Sequence, residues 1–223
     1  MTNFLSGIFI QFFNAMHGLV EAVISNPNLS YGITIILFTL VMRILLLPLS
    51  LKQTKSTVKM SAIQPEVKKI QEKYKKDPQK AQQEVMKIYK ENDVSPMGGC
   101  LPMLVQFPIL IAMFYVFQHI DYQGAGFLWL PSLTKPDPYY ILPLISGITT
   151  YFSTKSMQGS TDAQAAKQAS TMNIGMSIFF TFMSLKFLGA LVLYWVVNNI
   201  LQLLQNLAFK KDFQRSKSDN NTI

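Results

Sequence analysis

Cysteine, histidine and charge are all scarce in this chain. Cys100 is the single cysteine, so no intrachain disulfide can form. His17 and His119 are the only histidines, far apart and in no pattern that would supply a zinc site with three or four ligands. His17 reads as a residue of a polar helix face. Cys100 has no histidine near it in sequence and reads as a small packing residue rather than a nucleophile. Charged residues make up 14% of the chain, against about 25% for an ordinary soluble domain. No glycine-rich phosphate loop and no pair of carboxylates inside an apolar run occurs. These absences argue against an enzyme, and no cofactor or metal is expected. No signal peptide is expected either, because Met1 to Val23 contains no lysine or arginine. There is no internal repeat of the kind that marks many transporters.

What is present in quantity is apolar sequence: 49% of residues are hydrophobic, and the few charges are bunched. Long charge-free tracts separated by basic clusters are the pattern of a polytopic membrane protein. The net charge of +8 then reads as topology-setting charge beside apolar spans rather than as a nucleic-acid surface. Tyr31 to Leu51 is the clearest span, and Arg43 sits well inside it. On a helix, Arg43 would lie roughly 18 Å from Tyr31 and roughly 13 Å from Lys52. A guanidinium at such depth costs on the order of 2.5–3.5 kcal/mol, and it cannot shed its proton. A wet, polar surrounding is the alternative to snorkelling.

The expected fold is all-α: five transmembrane helices, an N-terminal interfacial helix and a helical hairpin outside the membrane. The segments are 1–28 (amphipathic, extracytoplasmic), 29–51 (first span), 52–97 (hairpin), 98–209 (spans two to five) and 210–223 (basic, disordered tail). Leu5, Ile8, Phe9, Phe12, Met16 and Leu19 recur at helical spacing in the first segment. Pro48 is expected to kink the end of the first span. The hairpin region, Lys52 to Val94, contains eleven lysines and six acids. Ile63, Val67, Ile70 and Tyr74 form one apolar stripe, and Ala81, Val85, Ile88 and Tyr89 another. Asp77 and Pro78 suit the start of the second arm, and Pro65 a boundary or kink in the first. Spans two to five are expected near Cys100–His119, Tyr139–Ser153, Ala169–Leu185 and Leu188–Phe209. The loop from Asp121 to Asp137 carries Phe127, Trp129 and Leu130, which suit a membrane interface. Lysine and arginine asymmetry puts the amino terminus outside and the carboxyl terminus in the cytoplasm.

Within the spans lies a sparse polar set: Thr39 one turn before Arg43, Gln106, Tyr194, Trp195, Asn198 and Asn199. Singly, each reads as interhelical hydrogen-bonding glue. Together, beside an arginine with no intramembrane carboxylate, they suggest a hydrated concavity open to a transient polar or acidic segment.

Four motifs, in order, carry a resemblance: Thr39–Pro48 (TLVMRILLLP), Ser95–Pro108 (SPMGGCLPMLVQFP), Asp137–Pro143 (DPYYILP) and Leu191–Asn199 (LVLYWVVNN). The chain resembles the YidC/Oxa/Albino family of membrane protein insertases, in the short form of Gram-positive bacteria. The resemblance implies a five-span core in the cell membrane with a hydrophilic groove open to the cytoplasm. It implies Arg43 as the central groove residue, with Thr39, Gln106 and Trp195 around it and Tyr194 beside Trp195, and the hairpin as a mobile element; Asn198 of the polar set is expected to join them. Nascent membrane proteins and membrane lipid are the implied partners, with the ribosome, the signal recognition machinery and the Sec translocon as further candidates. The chain departs from the family at Phe187-Leu188-Gly189-Ala190, where Phe-Pro-x-Gly is usual, and in its short tail with four basic residues. Two other functions are compatible with the residues alone: a small anion transporter or channel using Arg43, and a structural membrane assembly factor.

Overall fold

The computed structural model describes residues 2–94, 101–157 and 163–220. The described residues form eight α-helices and no strand beyond one isolated bridge between Phe127 and Leu130. They are α1 (Thr2–Glu21), α2 (Pro27–Leu45), α3 (Leu47–Lys73), α4 (Pro78–Glu91), α5 (Leu101–His119), α6 (Ile141–Met157), α7 (Ala163–Ser184) and α8 (Gly189–Asn220). Cys100 lies outside the described residues.

Helix α2 starts where its sequence dictates. Asn26 caps it by accepting from the Asn28 amide at 3.0 Å, and Pro27 occupies its first turn, where no amide partner is missed. It ends at Leu45, earlier than the expected Leu51. Pro48 has no N–H to offer the carbonyl of Ile44, so the run breaks at Leu46. Pro48 then sits in the first turn of α3 rather than kinking the end of α2. Helix α3 runs through Pro65 without interruption, so Pro65 marks no boundary. Asp77 caps α4, accepting from the Lys80 amide at 3.1 Å, and α4 packs back on α3 across the short turn.

Helix α8 is central. It packs extensively on α6 and α2 and more lightly on α5, while α7 covers α6 and α1 covers α2 and α5. The backbone of α8 continues to Asn220, past the expected span end at Phe209. The α1 side of the bundle is an aromatic core: Phe13, Phe38 and Phe117 pack mutually at ring distances of 5.6 to 6.2 Å. His17 belongs to this core and not to a polar face. It is buried, stacks on Tyr31 at 3.8 Å and lies 3.1 Å from Ser30 Oγ. Because Ser30 Oγ donates to the Pro27 carbonyl, His17 Nε2 is the donor to Ser30.

The connection between α5 and α6 packs as a plug on the end of the bundle. Phe127, Leu130 and Leu133 are buried, while Leu128, Tyr139 and Tyr140 point outward. Asn28 Oδ1 accepts from the Gly126 amide at 2.8 Å, tying the plug to α2. Phe127 lies directly on Gly32, where a Cβ would overlap its ring. The plug also completes α8. The carbonyls of Lys135 and Leu133 accept from the amides of Gly189 and Ala190, two donors that a helix start leaves without intrahelical partners. Asp137 anchors the whole turn: its buried carboxylate accepts from the amides of Tyr139 and Leu142 and from the Trp129 indole.

Candidate functional site: a polar cavity around Arg43

The bundle is inverted relative to a soluble protein. Ile148 and Phe152 on α6, Ile178, Phe179 and Phe182 on α7 and Leu204 on α8 are exposed, whereas Ser146, Thr150, Ser153, Asn173, Ser177 and Asn199 are buried. Such an arrangement suits hydrocarbon outside and hydrogen bonding between helices inside. By length and composition, Pro27–Leu45 and Gly189–Ala208 can each cross a membrane, and Pro108–His119 is a shorter apolar helix. The class of protein so defined is an all-α integral membrane protein.

Two polar stripes run along α8, one residue out of phase, and they face different neighbours. Trp195, Asn199 and Asn206 face α6. The Trp195 indole and the Asn199 amide both donate to Thr150 Oγ1, at 3.1 and 2.8 Å. Asn206 donates to the Ser153 carbonyl and to Ser156 Oγ. The seam continues between α6 and α7 through Ser146 with Ser184 and Thr154 with Asn173. Trp195 also stacks on Phe180 of α7 at 4.3 Å. The structure therefore does not bring Trp195 to Arg43, contrary to the expectation from the sequence. Its indole N–H is spent on α6, about 100° around α8 from Tyr194.

The other stripe, Tyr194, Asn198 and Gln205, faces α2 and α3. Arg43 Nη1 donates to Asn198 Oδ1 at 3.3 Å, and Gln205 Nε2 donates to Ser50 Oγ at 2.9 Å. Between these contacts lies a partly open cavity of about 40 Å³. Thr39, Arg43, Leu46, Ser50, Gln53, Ile109, Tyr194 and Asn198 are among its lining residues. The sequence-expected residues Thr39, Arg43, Tyr194 and Asn198 thus converge on one space. Gln106 is on α5, and its side chain lies outside the described residues. Thr39 Oγ1 donates back to the Ile35 carbonyl at 2.6 Å, which leaves its lone pairs toward the cavity. No carboxylate lines the cavity, and among the described residues no ion pair engages Arg43. Buried charges are ordinarily paired, whereas the part-buried Arg43 guanidinium has the neutral Asn198 as its hydrogen-bond partner. Sequence reasoning missed Gln53, Ser50 and Gln205. The available signal for Ser50 and Gln53 was spacing: with Leu46 just before α3, positions 46, 49, 50 and 53 share one helical face.

The chain matches the 60Kd inner membrane protein family over residues 23–217. A membrane protein insertase YidC of Clostridium tetani is 44% identical over 96% of this chain and 97% of its own. One from Clostridium acetobutylicum is 49% identical over 92% of this chain and 83% of its own. Among solved structures, a YidC insertase with its first transmembrane domain resolved superposes with a TM-score of 0.69. It is 30% identical, and the match covers 89% of this chain and 45% of that one. The chain belongs to the YidC/Oxa/Albino family.

Proposed function

We infer that this protein is a membrane protein insertase, moving segments of nascent chains into the bilayer without covalent chemistry. The observation that carries the reading is the unpaired Arg43 beside a partly open polar cavity in an otherwise lipid-facing bundle. The chain is multi-pass in a bacterial cell membrane, with its amino terminus outside and its carboxyl terminus in the cytoplasm, as lysine and arginine asymmetry favours. In that orientation the Arg43 cavity is a groove facing the cytoplasm, and the α3–α4 hairpin stands at its mouth. A polar flank of the arriving chain enters the groove and is held by Arg43 in a reduced dielectric. Helix α6 has 17 residues, about 26 Å of helix against a hydrocarbon core of ~30 Å, so the barrier beside it is short. The apolar segment then leaves past α8 into lipid, where its burial drives the step. Nascent membrane proteins are the substrates; the hairpin is the surface offered to the ribosome, the signal recognition machinery or the Sec translocon.

The test is rescue of cells depleted of their own insertase. Arg43→Ala is expected to lower insertion of dependent single-span substrates about tenfold, the worth of a lost charge-assisted hydrogen bond. Arg43→Lys, which keeps the charge but loses the fork, should be intermediate. Equal insertion by all three proteins for every dependent substrate would refute the arginine's role.

A further inference from the structure

Two buried donors meet at the cavity without an acceptor. Arg43 Nε and Gln53 Nε2 are both shielded from solvent and have no hydrogen-bond partner among the described residues. Both residues line the same cavity. Their orphaned state is unusual, because nearly all buried polar atoms are satisfied, and it points to an acceptor that arrives with a ligand. The direction of the Arg43 fork narrows the ligand. Asn198 Oδ1 occupies Nη1, the nitrogen on the far side of the guanidinium from the Nε–H. The edge formed by Nε and Nη2 is left to grip a carboxylate with two parallel bonds. Two other polar side chains around the cavity are already engaged: Ser50 donates to the Leu47 carbonyl and accepts from Gln205, and Thr39 donates to Ile35. The cavity, at about 40 Å³, has room for about two or three waters or one carboxylate group. A phosphodiester with its glycerol arms would need more.

We propose that Gln53 is a specificity-determining residue of the groove. Its amide and the Nε edge of Arg43 together form a seat for one side-chain carboxylate of a passing chain. This rests on the insertase reading and deepens it. Arg43 supplies charge, which any polar flank can use; Gln53 supplies a neutral second donor, which rewards an acceptor of the right shape. Gln53 can do this because Leu46, Leu49, Ser50 and Gln53 share the cavity face at helical spacing. The selectivity is therefore for aspartate or glutamate in the translocated flank over asparagine or glutamine.

The experiment compares two single-span substrates that differ only by Asp or Asn in the short outer flank, inserted into proteoliposomes containing the full-length protein. Wild type should insert the Asp substrate better. Gln53→Leu should lower insertion of the Asp substrate about tenfold or more, the range expected for one hydrogen bond to a charged group, and lower the Asn substrate less. Gln53→Glu should lower the Asp substrate at least as far, because it brings a resident carboxylate to Arg43. Gln53→Met provides a second apolar variant of similar length should Gln53→Leu fail to accumulate. Equal losses on both substrates, or no loss on either while Arg43→Ala still loses the Asp substrate, would overturn the role of Gln53 and leave the groove standing. No loss with Arg43→Ala would overturn the groove reading itself. Dependence on the anionic-lipid fraction of the vesicle, with no difference between Asp and Asn, would replace the carboxylate by a lipid phosphate and reject the proposal.

Discussion

At the scale of single residues, the site is a question of which neighbour each polar side chain faces. Thr39 and Arg43, and Tyr194 and Asn198, are each four apart and so share a helix face, which makes their convergence readable from spacing. Trp195 was not readable in the same way. It lies one position from Tyr194, and nothing in an apolar run says which of two adjacent stripes turns toward α2 and which toward α6. Gln53 was hidden differently: in the sequence it sits beside Lys52 in a charged tract, although it shares the helical spacing of Arg43, Leu46 and Ser50. His17 looked polar because its partners, Ser30 and Tyr31, lie across a turn. These placements separate structural from functional polarity. Trp195→Phe removes the bond to Thr150 but keeps the stack on Phe180. It should cost about 0.6–1.7 kcal/mol of stability, the span measured for such bonds in a membrane. Insertion should be normal once expression is matched, which thermal unfolding in detergent and an insertion assay would report together. Tyr122 offers the opposite sign. Its hydroxyl is buried with no acceptor, and burial pushes its ionisation well above the ordinary tyrosine range. Tyr122→Phe should therefore be neutral or stabilising by about 1 kcal/mol, read by the same unfolding measurement.

At the scale of elements, helix starts and stops decide where the site lies. The capping signals Asn26-Pro27 and Asp77-Pro78 are local, and the sequence spelled them out. The helix break at Leu46 is also a local proline effect. The plug from Tyr122 to Tyr140 was not legible, because Phe127 and Leu130 look alike whether they face lipid headgroups or a bundle end. What decides is the backbone: Gly126, Leu133 and Lys135 are tied to Asn28, Ala125 and Gly189, which draws the apolar side chains inward. Asp137 holds three donors in that turn. Asp137→Ala should leave the Leu142 and Tyr139 amides and the Trp129 indole without their acceptor and cost about 3 kcal/mol. Faster hydrogen exchange should appear both at the start of α6 and at Gly189 and Ala190. Loss confined to α6 would show that the plug does not brace α8.

At the scale of the whole molecule, composition alone revealed the class. A chain whose charges are bunched outside long apolar tracts, with a few polar residues inside them, folds with those inner polar groups toward one another. The number of helices and their order were legible because each long apolar run ends at a proline, a glycine or a basic cluster. The packing order was not. Nothing in the sequence says that α8 lies between α2 and α6, and that placement is what gives α8 two polar faces with two duties. One face closes the bundle through Thr150, and the other leaves Arg43 beside open space. The central claim is that a substrate's polar flank enters the space beside Arg43 and not the lipid-facing side of the bundle. Site-specific photocrosslinking to stalled nascent chains tests it most directly, with the probe at Met42 or Leu46 beside the cavity, or at Met172 or Ile178 on the exposed face of α7. The account predicts adducts to the polar flank from Met42 and Leu46 and none to that flank from α7. Flank adducts of equal yield from α7, or none from Met42 and Leu46, would contradict it.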